Sequence, residues 1–424
     1  MTRNLPQNHL FKFILLIVFV YCNYGEDYCH VNSQCGQNSN SKDRYLLYDV
    51  NPPEGFNLRR DVYMRFAILA HKLQQSKKEE LKNVKLVLPP WSHLFHWKYN
   101  AEPEQIPWGL FFNVDSLKRF APVIEMYEFF DAINRTYSVQ IDEVYVLQHF
   151  KHMFETGNFE DKMKVEKCAQ NYQINYFFYK NITSNNVKCL SYHGPATKLS
   201  QLLLKSSAKT ILLHHAEVAL HDMFGDRIYW KCRRSMRFNR ELQKIALDFR
   251  KKFLNSSDEL DETLLPENWE DETPKRNAKG GPYLGVHLRR RDFLRGRAHQ
   301  VPSINSITDQ ITTLLKKLNL LQVFIATDAD EDEYREIVKN IPYKTLRFTP
   351  NSKTKKRIKD GDVAIIDQII CSHARYFIGT YESTFSFRIQ EEREILGFPT
   401  DTTFNCFCKE NTECPQPSVW KIVY

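Results

Sequence analysis

Beyond residue 25 the 424-residue chain contains no long apolar run. A membrane-spanning helix takes ~20 such residues, so no span is expected in the body of the protein. There is no Cys-x-x-Cys pair and no histidine cluster, which argues against a zinc site. Zinc-finger spacing, a heptad register and an RNP-type aromatic motif are all missing. A nucleic-acid partner is therefore not expected, despite a net charge of +8. No internal repeat and no low-complexity segment is present, which sets solenoids and propellers aside.

What is present begins with a leader. Residues 1–25 read as a signal peptide: Arg3 and Lys12 precede or flank the apolar run Phe13 to Tyr21, and Gly25 is a small residue for cleavage. An uncleaved anchor is the alternative. Asn134, Asn181 and Asn255 each head a glycosylation tripeptide. Nine of the 10 cysteines follow the leader. Cys168 with Cys189, and Cys408 with Cys414 or Cys406, are plausible local bridges, and Cys29 with Cys35 could clip the amino-terminal arm. Spacing does not settle the pairing. Cys232 and Cys371 sit in helix-like segments and read as buried free thiols. These features together place the mature chain in a secretory lumen.

With 42% hydrophobic and 13% aromatic residues, the chain can bury one large core or two medium ones. Strand-like and helix-like segments alternate in both halves. Residues 44–50, 84–88 and 144–147 read as strands. Val62, Phe66, Leu69 and Leu73 mark one apolar helix face, with Asn57 as its expected N-cap. In the second half, strands are expected at 283–288, 323–326, 345–348 and 375–379. Helices are expected over the Ile307, Ile311, Leu314, Leu318 stripe and over 331–340 and 362–373. The economical α/β solution is two Rossmann-like domains facing across a cleft, spanning 26–245 and 246–424. Residues 255–281, crowded with Asp and Glu, read as an exposed acidic insertion near the boundary.

Three places fall at carboxyl ends of expected strands, where open α/β sheets bind ligands. The first is Pro53-Glu54-Gly55-Phe56-Asn57. A carboxylate so placed can take a proton from an attacking group, or be a loop acid with no role. The second is His287-Leu288-Arg289-Arg290-Arg291-Asp292. Arginine keeps its proton and its planar fork matches phosphate, which points to a phosphorylated ligand; the plainer reading is a solvated basic face. The third is Gly379 to Ser386, where Ser383 and Thr384 open a helix beside Phe385. Hydroxyls and free N–H groups there suit an anion, although simple N-capping uses the same residues. Asp367 lies between Ala364-Ile365-Ile366 and Ile369-Ile370. A buried acid needs a partner, either an arginine of the fold or a donor-rich ligand such as a guanine edge.

These segments resemble the GDP-fucose protein O-fucosyltransferases, which share an H-x-R-R-x-D motif matched by His287 to Asp292 at every defined position. Residues 48–61, 281–290, 364–368 and 383–389 and the ending Trp420 to Tyr424 look like longer signatures of the branch that modifies thrombospondin repeats. The resemblance runs from about residue 44 to 424. It implies a GT-B enzyme of the endoplasmic reticulum lumen. Such an enzyme moves fucose from GDP-β-L-fucose to Ser or Thr of folded thrombospondin type 1 repeats, with inversion and without a metal or other cofactor. The implied acceptor side and base lie in the first domain, and the GDP-fucose site in the second. By the same resemblance Glu54 is the base and Arg289 the diphosphate-binding catalytic arginine. Pro53, Gly55, Phe56, Asn57, His287, Leu288, Asp367, Ser383, Thr384 and Phe385 complete the donor site. The Cys168–Cys189 pair matches the family's, and Cys406 is additional. Departures concentrate at 76–82, 149–187 and the acidic insertion.

Three rivals remain open. Asp328-Ala329-Asp330 has the D-x-D spacing with which GT-A enzymes hold Mn²⁺, though Glu331, Asp332 and Glu333 make it look like a first helical turn. A fucosyltransferase acting on glycans shares the arginine motif. A non-catalytic luminal protein could use the basic run to grip sulfated glycans.

Overall fold

A computed structural model describes residues 42–424, apart from 53, 93, 95–96, 98–104, 134–137, 169–173, 175, 178, 180, 298–300 and 410–419. The expected signal peptide, Cys29, Cys35, Pro53, the Asn134 sequon and Cys414 therefore lie outside the described residues. Within Asp43–Tyr424, one compact unit, two sheets carry the architecture.

The first sheet contains β1 (Arg44–Tyr48), β2 (Val84–Leu88) and β3 (Val123–Glu125). A two-stranded ribbon, β4 (Val139–Gln140) with β7 (Ile182–Thr183), stands apart from it. The sheet is completed by β5 (Glu143–Gln148), β6 (Lys162–Glu166), β8 (Val187–His193) and β9 (Thr210–His214). Their order is β3-β2-β1-β9-β5-β8-β6, parallel except for the last pair. The second sheet contains β10 (Gly281–Leu288), β11 (Gln322–Thr327), β12 (Lys344–Leu346), β13 (Ala374–Gly379) and β14 (Asn405–Cys406), in the wholly parallel order β12-β11-β10-β13-β14.

Successive strand residues face opposite sides of a sheet, and here both sides are buried. Tyr45 and Leu47 of β1 enter an apolar cluster private to the first sheet, while Leu46 and Tyr48 enter a larger one. Leu284, Val286 and Leu288 of β10 fill a cluster private to the second sheet; Tyr283 enters the same large cluster as Leu46 and Tyr48. One core thus joins both sheets. The glycine before β10 is needed there: Gly280 has φ +69°, and a Cβ would lie 2.5 Å from the Ala374 carbonyl oxygen.

The main helices are α1 (Phe56–Gln74), α2 (Arg227–Ser235), α3 (Arg240–Phe253), α4 (Ile304–Lys317), α5 (Glu331–Asn340), α6 (Asp360–Ser372) and α7 (Thr384–Leu396). Val62, Phe66, Leu69 and Leu73 of α1 are all buried, as their spacing required. Asn57 is not its N-cap, contrary to expectation. Gly55 occupies that position without a side-chain bond, and the Asn57 amide is used elsewhere, as described below. The expected boundary at 245/246 falls inside α3.

The acidic segment 255–281 is exposed at Glu259, Glu267, Glu270 and Asp271, as expected, but packs inward at Asp261, Trp269 and Glu272 as a strap. Arg250 of α3, 1% exposed, donates to Ser256 Oγ at 3.0 Å, Asp258 Oδ1 at 2.8 Å and Asp261 Oδ2 at 3.1 Å. Glu272 pairs with Arg234 and Arg237, and Trp269 is buried. Arginines opposite Asp258, Asp261 and Glu272 turn these three acids inward. Asn255 stays exposed and Asn181 is half-buried.

Cys168 and Cys189 form a disulfide. Cys408 is also disulfide-bonded. Cys232, Cys371 and Cys406 are buried free thiols.

Candidate active site

Parallel pairing brings the carboxyl ends of β10, β11 and β13 to one edge. At the tip of β10 the sequence sends neighbouring side chains different ways. Leu288 points into the core and is 1% exposed. Its side chain therefore does not line the site, against expectation. His287, also buried, turns to the other face, where Nδ1 lies 2.8 Å from Ser386 Oγ and the ring stacks on Phe385 at 4.3 Å. Gly379 makes room for that contact, because a Cβ there would meet Ser386 Oγ at 2.5 Å. Burial, with Arg289 next, pushes His287 down to about 3. The imidazole is neutral at physiological pH.

Arg289 continues past the strand end. Its guanidinium bridges Asp328 and Asp292, the latter at 2.5 Å, and its N–H donates to Thr380 Oγ1 at 2.9 Å. Arg290 is buried instead. It reaches Glu333 at 2.6 Å and the Pro302 carbonyl at 3.0 Å, and its N–H donates to Asp328 Oδ1 at 2.7 Å. Arg290 is thus committed internally, whereas Arg289, held by two carboxylates, stays on the crevice. Asp330 caps α5, accepting from the N–H groups of Asp332 and Glu333, as the helical-turn reading predicted. Among the described residues, no group of three or more His, Cys, Asp or Glu is placed to hold a metal.

Beside this tip α7 begins. Ser383 holds the N-cap position, yet its side chain makes no capping bond, so the first N–H groups of a 13-residue helix face the site uncapped by it. Asp367, on α6, has a buried Oδ1 without a hydrogen-bond partner among the described residues. Burial raises its carboxyl well above the usual range, and Arg347 only partly opposes this. Of the two partners expected for Asp367, no arginine bonds Oδ1 within the described fold.

The amino end of α1 closes the site from the other sheet. Asn57 Oδ1 accepts from Gln368 Nε2 at 3.1 Å and from Arg60 Nη1 at 3.3 Å, while Arg60 Nη1 also donates to Gln368 Oε1 at 3.0 Å. This triangle ties α1 to α6. A cavity of about 370 Å³ lies within these elements. Gly55, Phe56, Asn57, His287, Arg289, Asp367, Ser383, Thr384 and Phe385 all line it, together with Trp97 and Gln368. Sequence reasoning missed those last two. Gln368 stood beside Asp367 in a quoted signature; Trp97 carried no signal, and only folding lays it on Phe56 at 4.9 Å.

Glu54 is next to this lining and is not part of it. It is half-buried, and its N–H donates to the Asn51 carbonyl at 2.9 Å. Burial, then the charge of Glu217, raises its carboxyl above the usual value. Gly55 has φ −77°, a conformation open to any residue.

A neutral histidine, an arginine at a strand tip, an uncapped helix start and a buried acceptor share one crevice with the loop after β1. Residues 45–396 match the family described as GDP-fucose protein O-fucosyltransferase. The chain belongs to that family. Among relatives of this O-fucosyltransferase, the GDP-fucose protein O-fucosyltransferase 2 of Homo sapiens is 45% identical over 398 residues, covering 91% of each chain. That of Drosophila melanogaster is 41% identical over 408 residues, covering 90% of this chain and 82% of its own. A crystal structure of POFUT1 in complex with GDP-fucose is 17% identical, covers 88% of this chain and 99% of its own, and has a TM-score of 0.57. The O-fucosyltransferase described here has the same α/β, GT-B-type fold.

Proposed function

We propose that this enzyme transfers fucose from GDP-β-L-fucose to Ser or Thr hydroxyls of folded thrombospondin type 1 repeats in the endoplasmic reticulum lumen. The observation carrying the proposal is the crevice in which Asp367, Arg289 and the α7 start line up opposite the Glu54 loop. Asp367 Oδ1, buried and awaiting a donor, suits the N–H edge of guanine. Arg289 and the N–H groups of α7 suit the diphosphate. The neutral His287 keeps Phe385 and Ser386 in place through stacking and its hydrogen bond.

Inversion is one displacement. The acceptor oxygen bonds to the anomeric carbon as the bond from that carbon to the GDP oxygen breaks. Glu54 takes the hydroxyl proton, and the negative charge gathering on GDP meets Arg289 and the helix dipole. Fixed positive charge at that point lets the reaction proceed without a metal, and Asp328 and Asp330 are already engaged by Arg289, Arg290 and α5. Relatives named GDP-fucose protein O-fucosyltransferase 2 support the donor and a protein acceptor. The Cys168–Cys189 disulfide supports an oxidising lumen. Among the described residues, no helix is long and apolar enough to cross a membrane.

The test is mass spectrometry of a thrombospondin repeat after incubation with the enzyme and GDP-fucose, with and without excess EDTA. A single added fucose on the folded repeat, absent from the reduced repeat and retained in EDTA, is the expected outcome. Modification of free glycans alone would overturn the acceptor reading.

A further inference from the structure

Glu54 does not stand alone at the carboxyl edge of the first sheet. Because β1 and β9 are parallel neighbours, the segments following them leave side by side. Asp49, just past β1, is 3% exposed; it bonds His214 and accepts from the His215 N–H at 2.8 Å. His215 holds a left-handed backbone, φ 60° and ψ 49°, which non-glycine residues adopt rarely. That conformation turns the chain so that His215 Nδ1 lies 3.3 Å from Glu217 Oε1. The other Glu217 oxygen, Oε2, accepts from the Asn51 N–H at 3.2 Å, and Asn51 in turn accepts from the Glu54 N–H at 2.9 Å. An unbroken series of contacts runs from Asp49 through His215 and Glu217 to the Asn51–Glu54 turn.

We propose that Glu217 is a positioning residue for fucose transfer: it anchors the turn that presents Glu54 and sets a fixed negative charge beside that base. The inference rests on the function proposed above and adds a member to its site. Among the described residues, the charged groups acting on Glu54 are Glu217 from the turn after β9 and Arg59 and Arg65 from α1. Arg59 donates to the Glu54 carbonyl at 2.9 Å, and Arg65 is engaged by Asp61 and the Glu217 carbonyl. Glu217 is therefore the carboxylate that opposes ionisation of Glu54. Burial alone would raise Glu217, but its bonds with His215, its own N–H and the Asn51 N–H outweigh burial and hold it below the usual value. His215, chiefly through its bond to Glu217, is correspondingly raised. Two neighbouring carboxyls are thus driven apart, one kept ionised and one made more basic, a division that suits general-base catalysis.

The experiment is a pH profile of kcat/KM for a folded repeat at saturating GDP-fucose, on the full chain. Glu217→Gln keeps the acceptor for Asn51 and removes the charge. Its acid limb should move to lower pH and its plateau fall several-fold, with KM for GDP-fucose unchanged. His215→Asn tolerates the left-handed backbone and removes the imidazolium that offsets Glu217, so its acid limb should move to higher pH. Opposite shifts are the expected result, and loss of packing alone does not produce them. Limbs that superimpose on the wild type, or that move the same way, overturn the inference. GDP affinity serves as the folding control; should Glu217→Gln fail it, the direction of the His215→Asn shift decides. Absence of transfer by the wild type would instead sink the proposed function.

Discussion

Single side chains in this crevice are tuned for a ligand at the expense of the empty fold. Asp367 binds its proton more tightly folded than unfolded. Stability of the ligand-free protein should therefore fall as pH rises from the ordinary aspartate value through the raised one. Asp367→Asn should flatten that slope, raise stability at pH 7 by about 1–3 kcal/mol, and abolish tight GDP binding; urea melts and calorimetry check both. His287 works in the opposite sense. Its folded value of about 3 means that stability is unaffected above the unfolded histidine value and declines as pH drops from there toward 3. It does not titrate near neutrality, so the acid limb of activity falls to the raised carboxyls of the crevice, with Glu54 the one that takes the acceptor proton. Glu54→Ala and Arg289→Ala should each remove transfer by two orders of magnitude or more, a loss consistent with general-base and charge-stabilising roles of roughly 10²–10⁴-fold. Circular dichroism should remain that of the wild type, since Asp328 keeps its bond from the Arg290 N–H.

Helices and strap supply the setting. Arg250 on α3 gathers Ser256, Asp258 and Asp261 into the strap leading to β10. Removing one member of a buried ionic group strands the others, at a cost of about 3–5 kcal/mol. Arg250→Ala should therefore lower the urea midpoint strongly and open residues 255–281 to proteolysis. An unchanged cleavage pattern would return that segment to the exposed insertion its composition suggested. Composition misleads here because it counts acids without locating the arginines opposite them. The helices themselves were legible: Ile307 and Ile311 lie buried on α4, and α5 coincides with the expected 331–340. Several of the strands were too, β2 coinciding with the expected 84–88, but β9 was not foreseen. β9, Thr-Ile-Leu-Leu-His, is a brief apolar run that period alone cannot separate from helix.

The two sheets are bound by more than their common apolar core. Arg388 of α7 bonds Glu391 at 2.8 Å and Asp61 of α1 at 3.3 Å. Glu391 also accepts from Arg233 at 2.6 Å and Tyr229 at 2.5 Å on α2. Such a network, nearly dry, couples the lobe bearing Glu54 to the lobe bearing Arg289. Residues 43–424 should therefore unfold in one calorimetric transition, and GDP at a hundred times its Kd should stabilise the protein by about 2.7 kcal/mol. Two resolved transitions, only one of them shifted by GDP, would contradict this coupling.

Local pattern was enough to read the α/β alternation, the β10 tip with its arginines, the α7 start and the Cys168–Cys189 pair by resemblance, because each depends on neighbours in the chain. The orphaned Oδ1 of Asp367, the inward turn of Arg290, the Asn57–Gln368–Arg60 triangle and the Glu217 charge beside Glu54 depend on residues far apart in sequence. Charge and hydrogen bonding act over a few ångströms of space, and packing alone sets which groups come that close.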